Sequence, residues 1–293
     1  MTTPTQPTLA GPTPGFAQRK ARALVGGLPP QEGALWLAGR QMGTASPEHI
    51  AVCERARAVV AARPPGVDQT RLFDPLPAEV ESHIEALRAD PKSAEMLNAS
   101  GTPRMVDLTK VCAAQPQIHT EDARRRVEGL DQRALLAIAQ VTLPLPSQEL
   151  LPVAFDPTKN AWILSSPNPN LRVVGNFSGP VAPGLTGYGF AVALQKSYLQ
   201  VAGLGGRYFL RDGYHRAYGL LAAGISHVPA LVKDFATFEE VGLPAGLLPQ
   251  STYLGERPPL LPDYLNDQVS VDTLLPITQK MVVVQALELH SIG

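Results

Sequence analysis

The chain has 293 residues, 44% of them hydrophobic and 17% charged, enough to bury the core of one large or two ordinary domains without disulfide staples. Its 25 basic and 26 acidic side chains leave a formal charge of -1. That balance argues against DNA or an anionic membrane gripped over the whole surface, since such partners need many uncompensated cations. The 29 prolines, about twice the average usage, predict many turns and extended segments. Cys53 and Cys112 stand far apart without C-x-x-C spacing, which reads as two reduced thiols rather than a zinc site or a disulfide. No run approaches the ~20 apolar residues of a membrane span and the start lacks a signal-type apolar stretch, so the expectation is a cytoplasmic protein with no membrane partner.

Residues 1–16 are Thr, Pro, Gln and Gly with little to bury and read as a disordered tail. Residues 17–98 read as a helical N-terminal unit. ARALV opens it, HIAVCERARAVVAAR follows with Ser46 as N-cap and Pro47 at the start, and PAEVESHIEALRAD carries Val80, Ile84 and Leu87 at helical spacing behind Pro77. The stretch 99–235 reads as a mixed-sheet domain. A helix capped by Thr120 starts near its beginning, with Glu121 and Asp122 in the first turn and Arg124, Arg125 and Arg126 on a solvated face. Short extended runs then follow between turn residues: VTLPLP, LLPVAF, AWILS, LRVVGNF, GFAVAL, SYLQVAG and RYFLRD. Residues 236–293 read as a proline-punctuated extension packed on that domain, ending in an apolar element around Met281 to Leu289. The expected class is α+β.

The segment GLGGRYFLRDGYHRAYGLLAAGISHVPALV, from Gly203 to Val232, joins a strand pattern to a helix pattern at a polar hinge. Tyr208 and Leu210 alternate with Arg207, Phe209 and Arg211 along an extended run that ends at Asp212 and Gly213. Gly213 permits a tight strand-to-helix turn, Asp212 is placed as N-cap, and Ala217, Leu220 and Leu221 form an apolar stripe closed by Gly224. Val228 to Val232 reads as a second strand. Gly203, Gly205 and Gly206 read as a hairpin turn. A helix start offers unpaired backbone N–H groups and partial positive charge to an anion, and His215 and Arg216 lie in its first turn, so the hinge has the outline of a phosphate site. His119 and His227 read as structural.

Strand, D-G-Y-H-R, apolar helix, Gly and V-P-A-L-V together resemble the ParB/sulfiredoxin superfamily over about thirty residues. Asp212-Gly213-Tyr214-His215-Arg216 is nearest to the D-G-x-H-R form of ADP-dependent serine kinases, and more distant from the ParB G-E-R-R line and the sulfiredoxin G-G-C-H-R line. The resemblance implies a ParB/sulfiredoxin-like mixed sheet. It also implies a phosphate- or nucleotide-binding role for Gly213, His215 and Arg216, with Tyr214 and Arg211 extending the site. Tyr214 stands where sulfiredoxins carry their reactive cysteine, so sulfinic acid repair has no nucleophile here. Pro167 to Arg172 resembles the P-N-P box of ParB, whereas the E-N-x-x-R segment that clamps CTP has no counterpart beyond Glu256-Arg257.

Three functions stay open at this point. The first is a nucleotide-dependent phosphotransferase or nucleotide hydrolase, with His215 supplying a charge-assisted hydrogen bond and Asp212 acting as base or Mg²⁺ ligand, ahead of Glu239 and Glu240. Its cofactors would be ATP, ADP or CTP with Mg²⁺. The second is a module that senses a nucleotide or phosphorylated small molecule, or only organises the fold, without turnover. The third is a partition-type DNA-binding protein or nuclease, which the charge balance disfavours.

Overall fold

The structure is a computed structural model that describes residues 18–38, 45–146, 151–166, 168, 170–194, 197–244, 246–277 and 280–285. It is a mixed α+β protein divided into two compact units, Met1–Leu145 with Tyr198–Pro276 and Pro146–Ser197 with Ile277–Gly293. The first unit opens with β1 (Gln18–Ala23), α1 (Pro30–Leu37), α2 (Pro47–Ala61), β2 (Phe73–Asp74), α3 (Ala78–Ala89) and α4 (Pro91–Ser100). It continues with β3 (Thr102–Asp107), β4 (Gln117–His119), α5 (Thr120–Arg125) and α6 (Leu135–Thr142). The second unit supplies β5 (Ala154–Asp156), β6 (Ala161–Ser166), β7 (Leu171–Ala182) and β8 (Leu185–Leu194). The first resumes with β9 (Gln200–Leu204), β10 (Arg207–Asp212), α7 (Tyr214–Ala222), β11 (His227–Phe235), α8 (Phe238–Val241), α9 (Gln250–Tyr253) and β12 (Val271–Pro276), and β13 (Lys280–Gln285) belongs to the second.

Local chemistry accounts for several of these elements. Ser46 caps α2 by accepting from the His49 N–H, and Asp90 caps α4 by accepting from Ser93, each ahead of a proline at the helix start where no N–H is needed. Val80, Ile84 and Leu87 form the buried stripe of α3, at the spacing read from the sequence.

The main sheet runs β10-β9-β11-β3-β2, with β11 parallel to β9 and antiparallel to β3. In β11 the side chains of Val228, Ala230 and Leu231 have no exposure, and a fully buried Val or Leu contributes about 1.5–3 kcal/mol. The β9–β10 hairpin closes on Gly205 and Gly206 at φ 57° and 78°, a positive pair that a two-residue turn of this hand requires. Phe209 and Leu210 are both fully buried although neighbours on a strand point to opposite faces, because the sheet is covered on both sides there. The outer edge of β10 is closed too: Cys112 donates its N–H to the Tyr208 carbonyl and accepts from Leu210 N–H. Beside it the Gln69 carboxamide behaves like a piece of strand, donating to the Tyr208 carbonyl and accepting from its N–H.

The structure corrects several sequence expectations. Near the start of the expected helical unit, Gln18–Ala23, which include the first three residues of ARALV, form β1, the middle strand of a sheet ordered β12-β1-β4, and Val25 opens a short 3-10 turn. Its Arg22 is buried and bonds Asp272, Asp267 and the Tyr264 carbonyl, partners about 240 residues away that no local pattern reveals. VTLPLP, expected as a strand, begins inside α6, because Ile138, Ala139 and Thr142 form a buried helical face before the prolines stop it. Thr120 is the first helical residue of α5 rather than its cap, and its hydroxyl donates to the Lys20 carbonyl. The expected boundaries at 98/99 and 235/236 fall inside the first unit, while residues 146–197 of the expected sheet domain and the end of the expected C-terminal extension form the second. Residues 1–17 and 286–293, hence the tail and the end of the last apolar element, lie outside the described residues.

In the second unit β13-β6-β5 form one sheet and β7-β8 a separate hairpin. The Phe177 ring lies over Gly189, 2.4 Å from where a Cβ would stand, so a side chain there would push this exposed ring aside. Among the described residues no helix is long and apolar enough to cross a membrane.

Two outcomes follow from the packing. A Cβ at Gly219, in the middle of α7, would meet the Ala123 carbonyl oxygen of α5 at 2.5 Å. Gly219→Ala therefore destabilises the protein by about 1–3 kcal/mol despite the better helix propensity of alanine, seen as a melting temperature lower by several degrees. Cys53 and Cys112 are buried, and burial pushes both thiols up to about 11. A thiol reagent at pH 8 accordingly titrates neither in the native protein and both after unfolding.

Candidate functional site

The polar hinge between β10 and α7 is where the sequence concentrates its chemistry. Gly213 is the N-cap of α7 at φ 96° and ψ 19°, and a Cβ there would stand 3.1 Å from Leu199 Cα. Left-handed backbone and close approach of a neighbouring strand together demand glycine. Asp212 lies one residue too early to cap the helix as expected. Its Oδ1 folds back to accept from the Gly213 N–H at 2.6 Å. No side chain caps α7 and no acid lies within its first turn, so those amides keep their partial positive charge, with Asp212 just ahead of them the nearest carboxylate.

The three residues after the glycine point in three directions. Tyr214 is buried, its hydroxyl accepting from Ala114 N–H and donating to the Leu210 carbonyl, and burial raises the phenol well above its usual range. Its side chain belongs to the core, which leaves only its backbone for a ligand. His215 Nε2 accepts from the His119 N–H at 3.2 Å, and the two imidazoles stack 5.7 Å apart at 12°. This bond places the ring proton on Nδ1. Burial first, then the neighbouring His119 and Arg126, pull His215 down to about 4, so the ring is neutral at pH 7 and supplies no charge to a hydrogen bond. Arg216 is buried, with Nη1 3.4 Å from the carbonyls of both Val141 and Thr142 at the end of α6. It adds a donor to these carbonyls, of which that of Thr142 also accepts from Leu199 N–H, and meets the negative end of that helix. Burial lowers it to about 10, against the support of Asp212 and with a further push from Arg126, so it remains a cation.

Arg211 does not join this group. It donates to Gln200 Oε1 at 3.1 Å and lies over the Phe235 ring at 5.5 Å. Glu240 accepts from Ala236 N–H at the start of α8. Arg207, expected beside Arg211, donates to the Gly255 carbonyl. In the P-N-P-type box Asn168 accepts from Asn170 N–H in the second unit, while Pro167 and Pro169 lie outside the described residues.

Two residues that sequence reasoning set aside belong to the hinge. His119, read as structural, supplies both the amide and the stacking ring for His215, and its own buried Nδ1 has no hydrogen-bond partner among the described residues. Arg126, read as part of a solvated run, is exposed, has no ion pair or hydrogen bond among the described residues, and acts electrostatically on both His215 and Arg216. Their distance in sequence from the hinge, about 90 residues, hid them. Asp122, the nearby acid, is occupied by Arg19 at 2.7 Å. Among the described residues no three His, Cys, Asp or Glu side chains gather as a metal site. No family model, curated protein or solved structure matches the chain.

The depressed His215 makes stability depend on pH in a defined window. Between the ordinary histidine value near 6.5 and about 4 the unfolded chain binds the proton and the folded chain does not. The stabilisation is complete above pH 6.5 and falls as the pH drops toward 4, by about 3 kcal/mol. His215→Gln keeps an acceptor for the His119 amide but cannot titrate. It flattens much of the slope in urea-unfolding free energy across this window, and His119, lowered chiefly by burial, with carboxylates such as Asp68 and Asp90 that hydrogen bonds hold low, contributes to what remains.

Proposed function

We propose that the chain is a ParB/sulfiredoxin-like protein that binds a phosphate-bearing ligand, a nucleotide in the first instance, at the start of α7. The β10-Gly213-α7-β11 path through the D-G-Y-H-R segment supports that reading, and one observation carries it. α7 opens on an uncapped left-handed glycine, and the nearby guanidinium of Arg126 has no partner among the described residues. In this reading the first-turn amides take the phosphate oxygens, Arg126 closes on them from solvent and buried Arg216 adds charge from behind. His215 contributes position rather than charge. Asp212, beside the turn, is the carboxylate placed to receive a proton or to meet a Mg²⁺ that arrives with the nucleotide and is held mainly by phosphate oxygens and water.

A second reading is favoured by a specific observation: the side chains of Tyr214, His215 and Arg216 all have protein partners. On that view the hinge is a non-catalytic module, sensing a ligand or only organising the fold. Thermal melts with phosphate, ADP, ATP and CTP, with and without Mg²⁺, separate the readings. Phosphate binding raises the melting temperature by mass action, and exposed Arg126→Ala removes the rise without lowering the starting value. A rise that survives Arg126→Ala, or no rise with any of the four, rejects the first reading. Release of phosphate from ATP or CTP, lost in Asp212→Asn, then distinguishes turnover from binding. Arg216→Ala is the wrong probe, because it uncaps α6 and destabilises the protein by itself.

A further inference from the structure

A cavity of about 300 Å³ opens on the main sheet and is lined by Phe73, Asn98, Thr102, Arg104, Tyr208 and Asp234 among others. The path of the chain creates it. Gln69 is hydrogen-bonded to Tyr208 on the β10 edge, and four residues later Phe73 pairs with Val106 of β3. One short segment thus links strands that stand at opposite ends of the order β10-β9-β11-β3. The sheet must curl for this, and the rings of Phe73 and Tyr208 meet across its mouth at 4.8 Å in an edge-to-face contact. Such mouths are places where small molecules bind.

The floor of the mouth is built with glycine. Tyr208, Gly203 and Asp234 occupy one row across β10, β9 and β11. A Cβ on Gly203 would stand 2.1 Å from Asp234 Oδ1 and 2.6 Å from Tyr208 Cε1. The bare strand lets the carboxylate and the phenol converge over it as they stand, and an interior strand glycine of this kind marks a close approach. Burial first and Asp234 second raise the Tyr208 phenol. On the other wall Arg104 lies 5.7 Å over the Phe73 ring, a cation–π contact that holds the guanidinium by its face and leaves its in-plane donors without a hydrogen bond among the described residues.

Arg104 and Asp234 therefore carry opposite charges on one small cavity, yet they do not pair with each other, and neither has an ion pair among the described residues. The register explains why. Arg104 is opposite Ala230, and Asp234 lies four residues further along β11, about 13 Å away at strand rise. The long arginine and the short aspartate take up much of that span but leave a gap. A molecule that brings an anionic group to Arg104 and a cationic group to Asp234 fills it, with its carbon chain against Phe73 and Tyr208.

We infer that the mouth of the curled sheet, between Arg104 and Asp234 over Gly203, is a binding site for a small zwitterion whose carboxylate and ammonium are separated by a short carbon chain. It is separate from the hinge and does not depend on phosphate binding there. Saturation-transfer NMR on the full chain tests it with glycine, β-alanine and 4-aminobutyrate, with acetate and methylammonium as single-charge controls. Transfer to β-alanine or 4-aminobutyrate and none to the controls is expected. Both Arg104 and Asp234 are exposed, so Arg104→Gln and Asp234→Asn should keep the wild-type melting temperature while weakening binding at least tenfold. Absence of transfer to all three zwitterions, equal transfer to the controls, or binding unchanged in both variants overturns the inference.

Discussion

The left-handed turn at Gly213 is the constraint on which the first unit depends. At φ 96° and 3.1 Å from Leu199 for any added Cβ, it sets the direction in which α7 leaves β10. That direction decides where the next three side chains go. Tyr214 reaches the 114 amide and the Leu210 carbonyl, His215 reaches β4, and Arg216 reaches the end of α6. Three segments distant in sequence are thereby tied to one helical turn. A small error in the turn would release three buried polar groups at once, and each unpaired group costs about 1–3 kcal/mol.

This use of side chains changes the meaning of the D-G-Y-H-R segment. Its residue types match those of a phosphate site, yet in the fold the phenol, the imidazole and the guanidinium are largely occupied inward. What no side chain takes up is the backbone of the first turn of α7, which is uncapped, and Arg126 is the exposed cation that acts on it from nearby. The neutral His215 fits this division. A protonated imidazole would have to exist in a dehydrated place next to two cations, and burial with that repulsion holds it deprotonated. The positive character of the hinge comes from arginines and the helix end.

The main sheet distributes its polar groups in a similar way. Its core rows are Val, Ala and Leu, but the row of Tyr208, Gly203 and Asp234 at one end is polar around a glycine. Gln69 and Cys112 close the outer edge of β10 with hydrogen bonds, which removes the free strand edge that would otherwise invite pairing with another chain. The second unit is different in kind, a three-stranded sheet and a hairpin drawn from two separate stretches of chain.

The elements legible from sequence were those decided within a few residues of themselves. Ser46 and Pro47 at the start of α2, the Val80, Ile84 and Leu87 stripe, the Gly205-Gly206 turn and the strand-glycine-helix order around Gly213 follow from caps, spacing and backbone freedom. Other features were decided by partners far away. β1 is a strand because residues 271–276 and 117–119 pair with it, α6 is helical because its apolar face is buried, and residues 146–197 leave the first unit to join 277–293. The same division runs through the site. Composition and spacing identify which residue types stand at the hinge, but whether a histidine is charged, which way an arginine points and that Arg126 stands beside His215 depend on burial and distance, and those exist only once the chain has folded.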